Sequence, residues 1–253
     1  MRRMFPKLDN LKWIPADWPA PEHVHAGSTT RCGGTSQSPY DTLNLATHVG
    51  DRDKNVLHNR QLLIDKLKLP SEPAWLDQQH GCKIIDPAVT NKRWLADGAY
   101  TNNTRHVCVV LTADCLPLLI CDRDGGEIAA IHIGWRGYTK NIITAAIKSF
   151  RQHPENLLAW IGPCICAKHY EVGKEVRQAC MSVSEASATA FTPSRKGHWF
   201  ADIQQLVRLQ LQEYGLGNIF GGHYCTYGDT NLFYSYRRDR STGRIASMIW
   251  MDS

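Results

Sequence analysis

The feature that most constrains the fold is a pair of long apolar segments in the middle of the chain. The first covers residues 107–121 and is interrupted by Asp114 and Pro117, and the second covers residues 127–133. Apolar runs of strand length predict strands that are buried on both faces of a sheet. The interruptions leave the first segment too short to span a bilayer, so we expect no membrane association.

Helical and strand patterns alternate irregularly along the rest of the chain. Apolar periodicity predicts helices over residues 53–69, 138–153, 172–183 and 202–214, and strands over residues 107–112, 116–121, 127–133, 157–161, 232–236 and 244–251. In the last helix, Asp202 is the expected N-cap, with Gln205 three residues later. This irregular order predicts an α/β or α+β fold with a mixed sheet.

The length of the chain allows one large domain or two small ones. Of its 253 residues, 43% are hydrophobic and 21% are charged, which is enough apolar material for a core without disulfides or metals. Pro15, Pro19 and Pro21 predict an extended N-terminal arm over residues 1–22, followed by a single domain over residues 23–253. The N-terminal residues lack the apolar core of a signal peptide, so we expect a cytoplasmic protein.

The charge pattern favours small anionic substrates over nucleic acid. The net charge is +5, and the 29 basic residues are scattered. The densest basic cluster, Arg237, Arg238, Arg240 and Arg244, is sparser than the basic stripe that is typical of nucleic-acid-binding domains. We therefore expect no nucleic-acid partner, whereas phosphate suits a mildly basic protein.

The nine cysteines are odd in number and occur without an export signal. A disulfide framework is therefore not expected. We expect most of these cysteines to be small buried residues, and one or two to be metal ligands or nucleophiles. The segment GPCIC (162–166) has Cys-x-Cys spacing, which differs from the Pro-Cys-x-x-Cys of zinc-dependent base deaminases and disfavours that class.

Three segments place a metal-capable side chain at the end of an apolar strand or beside a glycine. They are QQHG (78–81), TADC (112–115) and IHIG (131–134), which contribute His80, Cys115 and His132. One thiolate and two imidazoles can hold Zn²⁺ and leave a fourth position open, as in catalytic zinc sites. Their wide spacing does not separate this interpretation from a core cysteine and two histidines bonded to backbone carbonyls, so both stay open.

Asp114 directly precedes Cys115 and supports a functional interpretation of this segment. A carboxylate at the end of a buried strand is costly unless it is paired or functional. It can orient a metal-bound histidine or transfer a proton. Capping of a helix N-terminus is an equally good structural alternative.

Two further segments have the composition of an anion site. Residues 27–38 combine glycines and hydroxyl groups with Arg31, although no lysine follows the glycines as in a Walker A sequence. An ordinary polar loop is the alternative. GWRG (134–137) stands between a strand and a helix, where backbone N–H groups favour anions, and Arg136 can clamp a phosphate.

Several motifs together resemble one known family. The most specific are TADCLP (112–117) and HIGWRG (132–137), and they are joined in family order by TRCGGTS (30–36), QQHG (78–81) and SYRR (235–238). On these stretches the chain resembles the bacterial laccase-domain family. That family is also described as multicopper polyphenol oxidase-like, as peptidoglycan editing factor and as zinc-dependent purine nucleoside phosphorylase.

The resemblance implies a fold, a metal and an activity. It implies one domain of layered α/β/β/α architecture with mixed sheets, and a Zn²⁺ site of His80, Cys115 and His132, with copper a less expected metal. The implied substrates are inorganic phosphate and the purine nucleosides adenosine, inosine, guanosine and S-methyl-5'-thioadenosine. Deamination of adenosine is implied as a second reaction. We expect a monomer or a small homo-oligomer.

Roles for individual residues follow as a hypothesis from this resemblance. Asp114, Cys115 and His132 are the expected catalytic residues. Arg31 and Arg136 are expected to hold phosphate, with Asn44 and Ser28 as supporting donors. Ser28, Arg31 and Arg136 stand in the two anion-type segments, and Asn44 stands in the motif LNL (43–45).

Other functions stay open at this point. A laccase needs several coppers and a histidine-rich cluster, whereas the single His-x-His pair is His23-Val24-His25. A cysteine hydrolase with Cys115 as nucleophile and His132 as base is an alternative by analogy of fold. Editing of peptidoglycan precursors and non-catalytic binding of a nucleotide are the remaining alternatives.

Overall fold

A computed structural model of the protein describes residues 10–88 and 94–252. The α-helices are α1 (Asp53–Leu67), α2 (Trp135–Thr139), α3 (Ile142–Ser149), α4 (Lys174–Met181), α5 (Ile203–Glu213) and α6 (Tyr236–Asp239). The strands are β1 (Trp13–Pro15), β2 (Val24–Thr29), β3 (Ile84–Ile85), β4 (Gly98–Thr101), β5 (Cys108–Thr112), β6 (Leu116–Asp122), β7 (Ile128–Ile133), β8 (Leu157–Ile161), β9 (Glu171–Gly173), β10 (Phe191–Pro193), β11 (His198–Ala201), β12 (Asn218–Gly221) and β13 (Ile245–Met251). Among these helices, none is long and apolar enough to cross a membrane.

Two large sheets form the centre of the molecule. The first contains four antiparallel strands in the order β1-β2-β13-β5. The second contains six strands in the order β12-β8-β6-β7-β4-β3. In the second sheet β12 runs parallel to β8 and β3 runs parallel to β4, while the other pairs are antiparallel. The prediction of a mixed sheet is therefore confirmed. A small third sheet has the order β10-β11-β9.

The sheets and helices are stacked in four layers. Val110 of β5 and Leu119 of β6 belong to the apolar cluster between the two large sheets. On the outer face of the first sheet, Val109 packs in a cluster with Leu63 of α1. On the outer face of the second sheet, Ile120 packs with residues of α3 and α5. The layered α/β/β/α architecture is thus the one that the resemblance implies.

The central strands are apolar throughout because both of their faces are covered. In β6, Leu116, Leu118 and Ile120 face the helices, while Leu119 and Cys121 face the first sheet. Successive side chains of a strand point to opposite faces, so a strand inside two cores has no polar face. The two apolar segments were predicted to be buried on both faces, and this is confirmed.

Some predicted helix boundaries are wrong. Residues 138–153 were expected as one helix, but the structure has α2 and α3, separated at Asn141, whose φ of 63° is left-handed and cannot continue a helix. Residues 172–183 begin as strand β9 before α4. By contrast, α5 begins as predicted, because the Asp202 side chain accepts a hydrogen bond from the Gln205 backbone N–H at 2.9 Å.

The predicted strand over residues 232–236 is also wrong. Phe233 and Tyr234 are fully buried, but they lie in a loop that leads into α6. Their apolar character reflects packing and not strand pairing. The predicted N-terminal arm, 1–22, is also partly a strand, since Trp13–Pro15 forms β1 and pairs with β2, while residues 1–9 lie outside the described part of the chain.

Candidate metal centre

The structure brings His80, Cys115 and His132 together. Their ligand-capable atoms all lie within 4.8 Å of one another. The Cys115 sulfur is 3.7 Å from His80 Nε2, and the centroids of the two imidazole rings are 4.7 Å apart, with their planes at 80°. His132 is buried and Cys115 is half-buried, so the thiolate side of the group meets solvent. Three segments that are far apart in sequence therefore converge on one point.

Strand pairing places Cys115 beside His132. The strands β6 and β7 are antiparallel, with Leu116 opposite Ile133 and Pro117 opposite His132. Cys115 stands immediately before β6, and His132 is the second-last residue of β7, so both side chains lie at the same edge of the sheet.

The loop that contains His80 is attached to the other large sheet by Gln78. The Gln78 side-chain amide donates to the Leu111 carbonyl at 2.9 Å, and its oxygen accepts from the Leu111 N–H at 2.8 Å. The side chain therefore pairs with β5 as a strand backbone would. This holds His80 at the end of β5, close to Cys115.

Asp97 organises the two histidines, and sequence reasoning missed it. Its buried carboxylate accepts a hydrogen bond from His132 Nδ1 at 2.8 Å. It also accepts from the backbone N–H groups of Gln79 at 3.1 Å, His80 at 2.9 Å and Gly81 at 2.6 Å. Because Nδ1 of His132 carries the proton in this bond, Nε2 is the ring nitrogen that faces the site. One carboxylate thus fixes both imidazole-bearing segments.

Asp114 does not play the orienting role that was expected of it. Its carboxylate accepts hydrogen bonds from Thr226 Oγ1 at 2.7 Å, Ser235 Oγ at 3.0 Å and the Arg237 N–H at 2.6 Å. Since Ser235 and Arg237 stand at the start of α6, this resembles the helix-capping alternative. The φ of Asp114 is 91°, a strained left-handed value that these bonds stabilise.

The pKa values of Cys115 and His132 are shifted in opposite directions, towards a thiolate and an imidazolium. Burial opposes ionisation of Cys115, but the charge of His132 and hydrogen bonds from His132 and His80 outweigh it and lower the pKa of the thiol to about 6. For His132, burial opposes protonation, but the Cys115 thiolate and the hydrogen bond to Asp97 raise its pKa to about 9. A thiolate is the form of cysteine that binds metals and acts as a nucleophile.

Gly134 leaves room at the centre of this group. A Cβ atom at this position would lie 2.9 Å from His80 Cδ2 and 3.1 Å from the Cys115 sulfur. Both contacts are closer than ordinary packing allows, so a side chain would push the ligands apart. The glycine that begins the segment GWRG is therefore required by the close approach of the ligands.

Positive groups surround the site. Arg136 is exposed at the start of α2, with its guanidinium 4.4 Å from the centroid of Trp135. Lys140 Nζ is 3.3 Å from the His80 carbonyl oxygen. Burial lowers the pKa of Arg244, while the charges of Cys115 and Asp114 act in the opposite direction. Its guanidinium donates to the carbonyls of Thr242 at 2.8 Å and Gly243 at 2.9 Å. The arrangement favours an anionic ligand.

The remaining predicted phosphate ligands have structural roles in the fold. The Ser28 hydroxyl is fully buried in β2 and contacts the Ala246 carbonyl at 3.3 Å and the Ser247 hydroxyl at 3.0 Å. The buried amide of Asn44 donates to Asp51 Oδ2 at 3.0 Å. The Ser28 hydroxyl and the Asn44 amide are thus bonded within the fold, and neither belongs to the proposed phosphate site.

Arg31 is also engaged within the protein. Its guanidinium donates to the Asp41 carboxylate at 3.2 Å and to the Thr230 carbonyl at 3.3 Å, and it lies 4.8 Å from the centroid of Tyr234. Its charge is therefore partly neutralised. Sequence reasoning placed Arg244 only in the C-terminal basic cluster and did not connect it with the charge of Cys115.

A comparison with known families identifies the chain. A family model described as multi-copper polyphenol oxidoreductase laccase matches residues 25–252. The chain belongs to this family. The resemblance drawn from the motifs is therefore confirmed.

Relatives in this family are similar over nearly their whole length. The purine nucleoside phosphorylase YfiH of Escherichia coli (strain K12) is 46% identical over 243 residues, which cover 95% of this chain and 99% of the relative. The purine nucleoside phosphorylase PA4543 of Pseudomonas aeruginosa is 42% identical over 240 residues, which cover 94% and 98%.

Solved structures share the fold. The protein NMB0706 of Neisseria meningitidis has a TM-score of 0.92 at 40% identity, covering 95% of this chain and 99% of its own. YlmD of Geobacillus stearothermophilus has a TM-score of 0.88 at 28% identity, covering 95% and 96%. The architecture around the candidate site is therefore that of the family.

The contacts of Asp97 and Asp114 predict losses of zinc affinity of different size when each aspartate is changed to asparagine. Asp97→Asn removes the carboxylate that fixes both histidines, so we expect the affinity for Zn²⁺ to fall by about 10- to 100-fold. Asp114→Asn is the matched comparison, because it alters bonds to α6 and leaves both histidines oriented, so its loss of zinc affinity should be clearly smaller. Zinc affinity is measured by competition with a coloured chelator. Equal losses in the two variants would contradict this assignment.

The space at Gly134 gives a second prediction. Gly134→Ala should lose most of the zinc held by His80, Cys115 and His132 while the protein stays folded, because the new methyl group meets His80 and Cys115. Gly217→Ala is the control, since a Cβ at Gly217 has no atom within 4 Å. Elemental analysis gives the zinc content and circular dichroism shows the folding. A Gly134→Ala protein with full zinc content would refute the proposed geometry.

Proposed function

We propose that the protein is a zinc-dependent purine nucleoside phosphorylase whose metal is held by His80, Cys115 and His132. The observation that carries this proposal is the convergence of the three ligand atoms beside several cationic groups. It is supported by the names of the relatives in E. coli and P. aeruginosa, which match this chain over nearly their full length. An enzyme that uses phosphate needs a site of this polarity.

The donor set fits zinc. A tetrahedral zinc site with bonds of about 2.3 Å to sulfur and about 2.0 Å to nitrogen separates those two ligand atoms by about 3.5 Å. The observed distance between Cys115 Sγ and His80 Nε2 is 3.7 Å. Three protein ligands leave the fourth position for an oxygen, which is the pattern of catalytic zinc. Copper accepts the same ligands and is our second choice of metal.

Phosphorolysis forms one bond, breaks another and transfers one proton. A phosphate oxygen forms a bond to the anomeric carbon of the ribose, the bond from that carbon to the purine nitrogen breaks, and the proton of hydrogen phosphate passes to the purine. A bound dication supplies Lewis-acid polarisation of an oxygen at its open position. We assign the binding and orientation of phosphate to Arg136, Lys140 and Arg244, whose positive charges lie around the ligands.

The other residues keep the ligands in place. The bond from Asp97 to Nδ1 of His132 directs the free nitrogen of the ring into the site. Asp114 holds the backbone before Cys115 through its bonds to α6, and we propose it as a positioning residue. We propose adenosine, inosine, guanosine and S-methyl-5'-thioadenosine as substrates. Deamination of adenosine, in which water replaces the amine and ammonia leaves, is proposed as a second reaction of the same pocket.

A laccase activity is less well supported by the residues than the family's description suggests. Among the described residues, metal-capable groups occur as two clusters of three ligands. Neither is the histidine-rich multicopper cluster that reduction of oxygen to water requires. Cytoplasmic action is our proposal for location, because nine unpaired cysteines suit a reducing compartment.

A cysteine hydrolase is the second candidate, because one observation favours it. Cys115, His132 and Asp97 follow one another as nucleophile, base and orienting carboxylate, with the thiol pKa lowered to about 6. This is the arrangement of a cysteine nucleophile with its base. The two candidates differ in their response to metal, since a zinc-bound thiolate is protected from alkylation and a free one reacts.

The test of the proposed function follows ribose 1-phosphate and free purine formed from inosine and phosphate. Removal of metal with a chelator should abolish turnover, and added Zn²⁺ should restore it. Cys115→Ala should lose the zinc ion of this site and more than about 99% of the turnover, because the sulfur ligand is gone. Arg136→Ala should raise KM for phosphate about 10-fold or more, because it removes a charged contact.

Two results would go against the proposed function, and a third would go against the role of Arg136. Turnover by Cys115→Ala at the wild-type rate would exclude the metal mechanism. Turnover that needs no metal and is blocked by iodoacetamide would favour the cysteine hydrolase. An unchanged KM for phosphate in Arg136→Ala would remove that arginine from the phosphate site.

A further inference from the structure

A second group of metal-capable side chains lies apart from the site around Cys115. It consists of Cys166, His169 and Cys225, which are all half-buried and whose ligand atoms lie within 4.8 Å of one another. His169 Nδ1 is 3.3 Å from the Cys166 sulfur and 3.4 Å from the Cys225 sulfur. The proposed phosphorolysis makes no use of these residues.

The strand order of the second sheet brings the two cysteines together. The parallel strands β8 and β12 are neighbours, and Cys166 and Cys225 follow their carboxyl ends. A bridge of β type joins Cys164 to Cys225, and the Cys166 N–H donates to the Cys225 sulfur at 3.3 Å. Both sulfurs are therefore placed by backbone contacts and not by a chance approach of mobile side chains.

His169 is positioned independently of the two sulfurs. It ends the short 3-10 turn Ala167–His169, and its N–H donates to the Cys166 carbonyl at 3.0 Å. Its ring stacks on Tyr227, with centroids 4.4 Å apart and planes at 21°. The backbone of Cys225 is held by Asp229, whose carboxylate accepts the Cys225 N–H at 3.1 Å. The group is therefore preorganised.

Hydrogen bonding alone explains this geometry poorly. His169 Nδ1 faces two sulfurs but carries at most one proton, and sulfur is a weak partner for a hydrogen bond. A cation between the three atoms would satisfy all of them. In a tetrahedral zinc site the expected separation of sulfur and nitrogen ligands is about 3.5 Å, close to the two observed distances.

We propose that Cys166, His169 and Cys225 form a second metal site, separate from that of His80, Cys115 and His132. Two sulfurs and an imidazole select a soft or borderline cation, and Zn²⁺ is the one that we assign. The fourth ligand is water, because all three side chains are half-buried and reached by solvent.

The function of this metal is to hold the frame of the first site. Residues that directly adjoin its ligands bind Asp114: the Thr226 hydroxyl donates to the Asp114 carboxylate at 2.7 Å, and the Ile165 N–H donates to the Asp114 carbonyl at 3.0 Å. A metal that joins residues 166 and 225 therefore fixes both chain segments around Asp114. Since Asp114 precedes Cys115, the second metal supports the sulfur ligand of the first.

The test counts zinc ions in the intact protein. The full chain is loaded with Zn²⁺ under reducing conditions, separated from free metal by gel filtration and analysed by mass spectrometry. Wild-type protein should hold about two zinc ions per chain, one for each cluster. Cys166→Ser, His169→Gln and Cys115→Ser should each hold about one. Cys32→Ser is the control, since Cys32 belongs to neither cluster, and it should keep about two.

The variants also separate this proposal from the proposed function. A wild-type count of about one, unchanged in Cys166→Ser and His169→Gln but lost in Cys115→Ser, overturns the second site and leaves the first intact. A disulfide between Cys166 and Cys225 that persists under reducing conditions and excludes zinc also overturns it. His169→Gln keeps both cysteines, so it gives an answer if Cys166→Ser does not fold. Cobalt loaded into Cys115→Ser should show a thiolate charge-transfer band that the added Cys166→Ser change removes.

Discussion

The candidate site depends on one buried carboxylate. Asp97 binds Nδ1 of His132 and three successive backbone N–H groups of the loop that carries His80. Without it, Gln78 would still attach the loop to β5, but no side chain would join the loop to the His132 ring and set the two imidazoles relative to each other. Burial of a carboxylate is costly, and four hydrogen bonds offset that cost. The positions of the two histidine ligands thus depend on Asp97, which is not itself one of the three proposed ligands.

The fold could be predicted from sequence where burial determines the pattern. The apolar segments of β6 and β7 showed strands with two covered faces, and Asp202 showed where α5 begins. The pattern failed where a local backbone conformation decides the outcome. Asn141 interrupts a helical periodicity with a left-handed φ, and Phe233 is apolar because it is buried in a loop. Periodicity reports burial, and it identifies an element only when burial and element coincide.

The same limit applies to the site. The ligands could be proposed from sequence because His80 adjoins Gly81, Cys115 follows Asp114, and His132 stands near the end of the apolar segment of β7. Asp97 could not be assigned, because its partners are brought to it only when β4 pairs with β7, with Gly98 opposite Ile131. Asp114 attracted the orienting role because it adjoins Cys115 in sequence, whereas its side chain turns towards α6. Adjacency along the chain and proximity in the fold are different properties.

The most direct test of the central claim is an anomalous difference map from crystals of the protein grown with Zn²⁺, measured on both sides of the zinc absorption edge. The account predicts a peak within bonding distance of the Cys115 sulfur and of the free ring nitrogens of His80 and His132, with an oxygen ligand at the remaining position. A fully loaded crystal with no peak among these three side chains would contradict it.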